Sequence, residues 1–103
     1  MSYLLLDILK LKPGKTVEDA VAYFDKLAPI FDEVGITRLD RPLKAAGVMR
    51  GSIEAEQVNL FEMEDPQKSM PAMQSHPDYQ AMIPVRDAIF DLENSTVLLP
   101  TKL

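Results

Sequence analysis

The chain has 103 residues, 47% of them hydrophobic and 26% charged, with a formal net charge of −5 at pH 7. This length predicts one domain over residues 1–103, with one small core and no room for a separate cofactor domain. The negative charge and the scattered basic residues argue against nucleic-acid binding, which needs clustered Lys and Arg.

Residue types that carry metal and redox chemistry are scarce. There is no cysteine and one histidine, which excludes disulfides, thiolate chemistry and a histidine-cluster metal site within one chain. Four glycines offer no phosphate-binding loop. We therefore expect no cofactor. The lack of cysteine suits a cytoplasmic protein, and the apolar N-terminal run, broken by Asp7 and Lys10, is too short and too charged for a signal peptide or a membrane span.

Residues 3–11 (YLLLDILKL) predict a β-strand that is apolar on both faces. Side chains alternate along a strand, so one face carries Leu4, Leu6 and Ile8, and the other carries Tyr3, Leu5, Asp7, Leu9 and Leu11. We assign the first face to the helix-covered side of a sheet. The second face, including Asp7, is assigned to the side turned away from the helices.

A long helix is predicted to follow. Thr16 is the expected N-cap, with Asp19 completing a capping box, and Gly35 is the expected C′ residue after a helix that ends near Val34. Pro29 falls opposite the apolar stripe, so we expect a bend there rather than a break. The predicted stripe is Val17, Ala20, Val21, Phe24, Leu27, Ala28, Phe31 and Val34.

The second half of the chain predicts two strands, a helical part in two pieces and a last strand. Residues 36–50 predict a strand that is irregular around Pro42, and residues 57–64 (QVNLFEME) a clearer one. Asp65-Pro66 begins a short helix. Ser75 or His76 then caps a helix reaching about residue 90, and residues 94–99 form the final strand.

This β-α-β-β-α-β order predicts a ferredoxin-like α+β fold, an antiparallel four-stranded sheet with both helical parts on one face. The other sheet face would be bare in a monomer. Because the first strand is apolar on that side too, an interface is indicated. The simplest cover is a second copy of the same sheet. We therefore expect a homodimer that encloses a barrel-like interior.

Fold order, length and the two-faced first strand resemble the dimeric α+β barrel superfamily. Within it, the chain is most similar to a small family of unknown function, through Ser75, Tyr79-Gln80 and Arg86 in the second helix after a strand ending in Glu62-Met63-Glu64. Related families in the superfamily are quinol-type monooxygenases without cofactors, muconolactone isomerases, polyketide cyclases and haem-degrading enzymes. Haem degradation would require an axial ligand, for which His76 at a helix start is poorly placed.

Arg86 is the first candidate site residue. On a helical wheel it lies within the apolar stripe formed by Tyr79, Ile83 and Phe90. A buried guanidinium needs a partner. One alternative is a structural tether to Asp7 or Glu62. The other is recognition of an anionic ligand, since Arg pairs with carboxylates through two parallel hydrogen bonds.

Asp7 is the second candidate. An unpaired, buried carboxylate would have a raised pKa and could act as a general base. Paired with Arg86 or Arg38, it would instead form a structural ion pair, the alternative that we favour from sequence.

His76 is the third candidate. Ser75 and Asp78 around it match a capping box, so His76 is an exposed residue at a helix start in the simplest interpretation. A neutral imidazole there could also accept a proton as a catalytic base.

Further residues could line a ligand cavity as hydrogen-bond partners or adaptable walls. Tyr79, Tyr3, Asn59 and Glu62 are the polar candidates, although aromatic residues in a helix stripe usually belong to the core, and the methionines suit a flat, apolar ligand.

Three functions remain open. The first is a cofactor-independent enzyme, monooxygenase- or isomerase-like, acting on a small aromatic or polyketide-like molecule, with His76 or Asp7 as catalytic base and Arg86 and Tyr79 as ligand partners. The second is a ligand-binding or stress-response module without turnover. The third is a purely structural dimer with a closed interior.

Overall fold

The computed structural model describes residues 2–103. Two long strands, β1 and β4, form the centre of an antiparallel sheet, and the helices lie on one of its faces. The elements in chain order are β1 (Tyr3–Leu9), α1 (Val17–Val34), β2 (Thr37–Arg38), β3 (Leu43–Lys44), β4 (Gln57–Met63), α2 (Pro66–Ser75), α3 (Pro77–Ala81), α4 (Ile83–Ile89), a 3₁₀ turn (Leu92–Asn94) and β5 (Thr96–Leu98). The predicted ferredoxin-like α+β fold is confirmed.

Strand order explains why β1 carries so many apolar residues. The sheet runs β2-β4-β1-β5, with β3 paired to β4 beside β2. β1 is therefore flanked by β4 over its whole length and by β5 over residues 6–8. The single irregular strand predicted over residues 36–50 is instead two short strands, which pair with opposite ends of β4. Pro42, which lies between them, cannot donate a ladder hydrogen bond.

Local signals define both ends of α1 as predicted. Thr16 and Asp19 form a complete capping box, and Gly35 takes the left-handed conformation with φ 81° while its N–H bonds the carbonyl of Phe31. Pro29 lies within the helix on an exposed position. The buried residues of α1 include two that the predicted stripe omitted, Tyr23 and Ile30.

The second helical part is broken twice, at His76 and at Met82. Pro66 occupies the first position of α2, as predicted. Ser75 ends α2 rather than capping the next helix, and His76 is the N-cap of α3. The helix predicted to continue to about residue 90 stops at Ala81 and resumes at Ile83, because Pro84 has no N–H for the carbonyl of residue 80.

The two faces of β1 are the reverse of our sequence assignment. Asp7, Leu9 and the bridge residue Leu11 are buried, and Leu5 packs against the same core under the helices. The face away from the helices is the one with Leu4, Leu6 and Ile8, which are only partly buried. The prediction that both faces are apolar holds. With both faces apolar, the pattern contained no signal for which one the helices cover.

Gly35 provides a test of the α1 terminus. A Cβ at Gly35 would meet no close neighbour, because its nearest atom is Ser69 Oγ at 3.5 Å, so the cost of Gly35→Ala comes from the positive φ of 81°. We expect a loss of about 1–2 kcal/mol in the free energy of unfolding, measured by urea denaturation. Gly47→Ala is the control, since Gly47 lacks a positive φ and its Cβ would meet nothing within 4 Å. Equal losses in both variants would contradict this account.

Candidate functional site

A cavity of about 210 Å³ lies between the covered face of the sheet and the helices. Its walls are mostly aromatic and aliphatic, and its polar groups come from both layers, Asp7 from β1 and Tyr23, Gln74, Tyr79 and Arg86 from the helices. A cavity below the roughly 300 Å³ of drug-sized pockets suits a ligand of one or two rings. The apolar lining residues are Leu5, Leu9, Phe24, Leu27, Phe31, Ile36, Phe61, Met70, Met73, Phe90, Leu92 and Val97.

Among residues 2–103, Asp7 is the only acidic side chain that lines this cavity, and it is 9% exposed. Burial raises the pKa of the Asp7 carboxyl, and a hydrogen bond donated by Asn59 Nδ2 to Asp7 Oδ2 (3.1 Å) opposes part of that rise. Within residues 2–103 no Lys, Arg or His forms an ion pair with it. Arg86 pairs with Asp87 and Arg38 with Asp25. The pairing of Asp7 with Arg86 or Arg38, favoured from sequence, is therefore wrong.

Asn59 belongs to a short polar chain on β4. Asn59 lies opposite Asp7 in the sheet register, and Gln57 lies opposite Leu9. Alternation along β4 turns both amides to the covered side, where Gln57 is 0% and Asn59 3% exposed. Gln57 Nε2 donates to Asn59 Oδ1, and Asn59 in turn donates to Asp7. Asn59 thus holds the carboxyl from the neighbouring strand.

Arg86 forms its polar contacts within the helical layer. Its Nη1 donates to Tyr79 Oη at 2.9 Å, and its Nε donates to Asp87 Oδ1 at 3.0 Å. The predicted tether from Arg86 to Asp7 or Glu62 is absent. Arg86 Nη2 also lies 3.0 Å from Asp87 Oδ1. Since a guanidinium has five N–H donors and these contacts engage three of them, Arg86 keeps two donors for a further acceptor. The shared face predicted for Tyr79 and Arg86 is observed despite the helix break.

Tyr23 is a cavity residue that the sequence interpretation missed. It is 3% exposed, and its ring makes edge-to-face contacts with Phe24 and Phe90. Burial raises the pKa of Tyr23, so its hydroxyl stays protonated, and Tyr79, Arg86 and Asp7 lie close enough to influence it. Its position three residues after Ala20 was an available signal, because residues three apart share a helix face.

His76 and Glu62 lie away from the cavity. Both border a separate polar surface groove, at the end of the sheet near Lys102. His76 Nδ1 accepts the N–H of Asp78, as a cap does, and Nε2 lies 3.0 Å from Glu33 Oε2. The structure therefore does not bring His76 to Asp7, and the alternative of a helix cap describes its geometry.

Glu62 and Tyr3 are placed by the sheet register. Glu62 lies opposite Leu4 on the face turned from the helices, where it accepts hydrogen bonds from Lys102 Nζ (2.7 Å) and Ser2 Oγ (3.2 Å). The bond from Lys102 lowers the pKa of the Glu62 carboxyl. Tyr3 is half-buried opposite Met63 and lies outside the cavity lining.

Two further structural findings concern the described residues as a whole. No group of three or more His, Asp or Glu side chains in residues 2–103 is arranged to hold a metal ion. No helix in that range is both long and apolar enough to cross a membrane.

No family model matches this chain, and no curated protein matches it. Solved structures do share its fold. A protein of unknown function from Rhodopseudomonas palustris is 18% identical, with a TM-score of 0.75 over 99% of this chain and 82% of that one. A DABB family protein with a ferredoxin-like fold from Mesorhizobium loti is 15% identical, with a TM-score of 0.68 over 99% and 97% of the two chains.

SnoaB, described as a cofactor-independent oxygenase from Streptomyces nogalater, is 13% identical, with a TM-score of 0.65 over 99% and 93% of the two chains. A ferredoxin-like protein of unknown function from Thermobifida fusca, 12% identical with a TM-score of 0.60 over 99% and 92%, is described as dimeric. At these identities the similarity establishes the ferredoxin-like fold. The motif of Ser75, Tyr79, Gln80 and Arg86 stays a prediction.

Asp7→Asn tests the energetic consequence of the buried carboxyl. Because burial raises the folded-state pKa of Asp7 above its ordinary value of 3.8, the stability of the fold is greatest below that pH, falls as pH rises through the folded-state pKa, and is then constant. Asp7→Asn cannot ionise and escapes this loss. We expect the variant to gain in free energy of unfolding relative to the wild type between about pH 4 and pH 7, measured by urea denaturation. A difference that is the same at both pH values would contradict the raised pKa.

Proposed function

We propose that this protein is a cofactor-independent acid–base enzyme, isomerase- or monooxygenase-like, that acts on a small aromatic or polyketide-like molecule. The observation that carries the proposal is Asp7, a buried carboxyl that lines an apolar cavity, has a raised pKa and has no cationic partner in the part of the chain that the structure describes. A carboxylate in such a site is a stronger base than one in water, which suits proton transfer near neutral pH.

The proposed first step is a proton transfer. The Asp7 carboxylate takes a proton from a carbon next to a ligand carbonyl group, and the electron pair of the broken C–H bond moves onto the carbonyl oxygen to form an enolate. In a ligand whose reacting carbon is also next to a C=C bond, the enolate is a dienolate, and return of the proton from Asp7 to its γ-carbon moves the double bond and restores the carbonyl group. In the oxygenase-like alternative, the enolate carbon forms a bond to O₂, the co-reactant. Asp7 then returns its proton to the resulting peroxide, and the hydroperoxide loses water, with the second hydrogen of that carbon, to leave a new carbonyl group.

Arg86 and Tyr79 are the proposed partners of the enolate oxygen. The guanidinium supplies positive charge and free N–H donors, and its bond to Tyr79 Oη (2.9 Å) leaves the hydroxyl proton of Tyr79 available to an acceptor. Donors fixed in position before the reaction are effective because they need no reorganisation as negative charge develops. Tyr23, which is 3% exposed, supplies a second hydroxyl in the same cavity.

Asp7→Asn separates catalysis from binding. In D₂O, the wild type should accelerate the exchange of the C1 protons of 2-tetralone, a bicyclic aromatic ketone. Proton NMR would measure the rate of this exchange. Asp7→Asn should slow this exchange by about 100-fold or more, the usual contribution of a general base. Fluorescence titration with 2-naphthol should show affinity changed less than about threefold, since the amide keeps the bond from Asn59.

Asp32→Asn, an exposed carboxylate on α1, is the matched control and should behave as the wild type. Unchanged exchange in Asp7→Asn would contradict the role of Asp7. Binding of 2-naphthol without any acceleration by the wild type would instead indicate a ligand-binding module without turnover.

We also propose that two copies associate through the sheet face that the helices leave uncovered. The register places Leu6, Leu60 and Leu98 side by side on this face, and Leu98 is 47% exposed in the single chain. Burial of the apolar area that these side chains still expose favours association by about 25 cal/mol per Å². The other apolar members of the face are Leu4, Ile8, Leu43 and Val58.

Leu98→Lys tests this association. Leu98 is already partly solvated in the protomer, so the variant should fold. An unpaired ammonium group in the interface is costly to bury, so at micromolar concentration the variant should be a monomer where the wild type is a dimer. Light scattering would measure the change. Val85→Lys, at a residue of α4 that is 42% exposed on the helical side, should remain dimeric. A monomeric wild type would contradict the proposal.

A further inference from the structure

The amide chain behind Asp7 contains one buried polar atom without a partner. Gln57 Nε2 donates to Asn59 Oδ1 and to the carbonyl of Val58 (3.2 Å), while Gln57 Oε1 is fully buried and accepts no hydrogen bond within residues 2–103. An unsatisfied buried acceptor destabilises the folded state, because it has lost its hydrogen bonds to water and gained none in the protein. Such an atom is uncommon enough in native proteins to require an explanation.

The neighbours of Gln57 determine which way its amide points. Val58 O is a backbone carbonyl and can only accept, so Gln57 turns its NH₂ group toward it and leaves Oε1 on the side without a donor. The same NH₂ group faces Asn59, which must therefore present Oδ1 to it. Asn59 then has its oxygen occupied, which directs Nδ2 toward Asp7 at 3.1 Å. The orientation of Asn59 therefore follows from Gln57.

We propose that Gln57 is a positioning residue for Asp7, acting through Asn59 to keep an N–H donor facing the carboxylate. This inference rests on the proposed role of Asp7 as the base. An N–H donor stabilises the ionised, proton-accepting form of the carboxyl. A reversed Asn59 would present Oδ1 instead, which can accept a bond only from protonated Asp7 and would stabilise the form that cannot accept a proton.

Within residues 2–103, the other titratable groups near Asp7 form no hydrogen bond with Gln57, whose bonds go to Val58 and Asn59. They are Tyr23 on α1, Tyr79 on α3 and Arg86 on α4, which reach the cavity from the helical layer, and the nearest charge behind them is Asp87 beside Arg86. The neighbour of Asp7 on β5 is Val97, which has no charge. An altered Asp7 titration after a change at Gln57 is therefore attributable to Asn59.

Gln57→Met tests the proposal, because methionine has a similar length and shape but neither donates to Asn59 nor leaves an unsatisfied oxygen. Free to turn, Asn59 can accept a bond from protonated Asp7, so the titration of the Asp7 carboxyl carbon, followed by ¹³C NMR on the free protein, should move to higher pH. The pH profile of 2-tetralone exchange should move in the same direction. Gln67→Met, the same change at an exposed glutamine of α2 that lies outside the cavity lining, should leave the titration in place.

Two more measurements distinguish positioning from packing. Gln57→Met should show an unchanged or raised midpoint of thermal unfolding, because the substitution removes a buried unsatisfied atom. If the Gln57→Met protein does not fold, Gln57→Leu is used in its place. In an Asn59→Leu background, Gln57→Met should have no further effect on the Asp7 titration, as a double-mutant cycle requires of residues acting in series.

An Asp7 titration that is unchanged by Gln57→Met would overturn the inference. The NMR titration needs no substrate, so it separates this inference from the proposed function. A shifted titration in a protein that does not exchange 2-tetralone would contradict only the enzymatic proposal.

Discussion

Burial of Asp7 beneath the helices removes a carboxyl group from water, and a hydrogen bond from Asn59 on the adjacent strand compensates part of that loss. This bond joins β1 to β4, the two strands on which the sheet is built, so the site and the fold have the same centre. Gln57 extends the polar line by one residue. The apolar residues around Asp7 raise the pKa of its carboxyl, while the hydrogen bond from the amide of Asn59 limits that rise. Stability and proton affinity are therefore set by the same few side chains.

Aromatic packing gives the cavity its fixed shape. Phe24 contacts Tyr23, Phe61 and Phe90 with ring centroids 5.1, 6.4 and 5.5 Å apart, distances at which tilted and edge-on rings attract one another. These rings come from α1, β4 and the end of α4, so the wall is held from three directions. Polar groups reach the cavity from opposite sides of this wall, the carboxyl from the sheet and the guanidinium and hydroxyls from the helices.

Local signals in the sequence predicted much of the fold. The capping box at Thr16 and the glycine at residue 35 define α1 because each acts within a few residues. The covered face of β1 could not be predicted, since leucines occupy both sides and an acidic residue is more often solvent-facing than buried. Pro84 interrupts the second helical part, and this break was not predicted. On the helical wheel Pro84 lies opposite the apolar stripe, a position where a proline is compatible with a continuous, bent helix. The partner of Arg86 was mispredicted because the helical layer itself supplies acceptors, Tyr79 Oη and the adjacent Asp87.

The break at Met82 has a mechanical consequence for the cavity. Tyr79 lies in α3 and Arg86 in α4, two short helices that meet at this residue. The hydrogen bond between their side chains connects α3 and α4 across the residue where the backbone hydrogen bonds of the helix are interrupted. The angle between the helices and the direction of the guanidinium are consequently coupled. Any molecule that drew Arg86 away from Tyr79 would also break this connection between α3 and α4. Binding in the cavity and the arrangement of the helices that cover it would then change together.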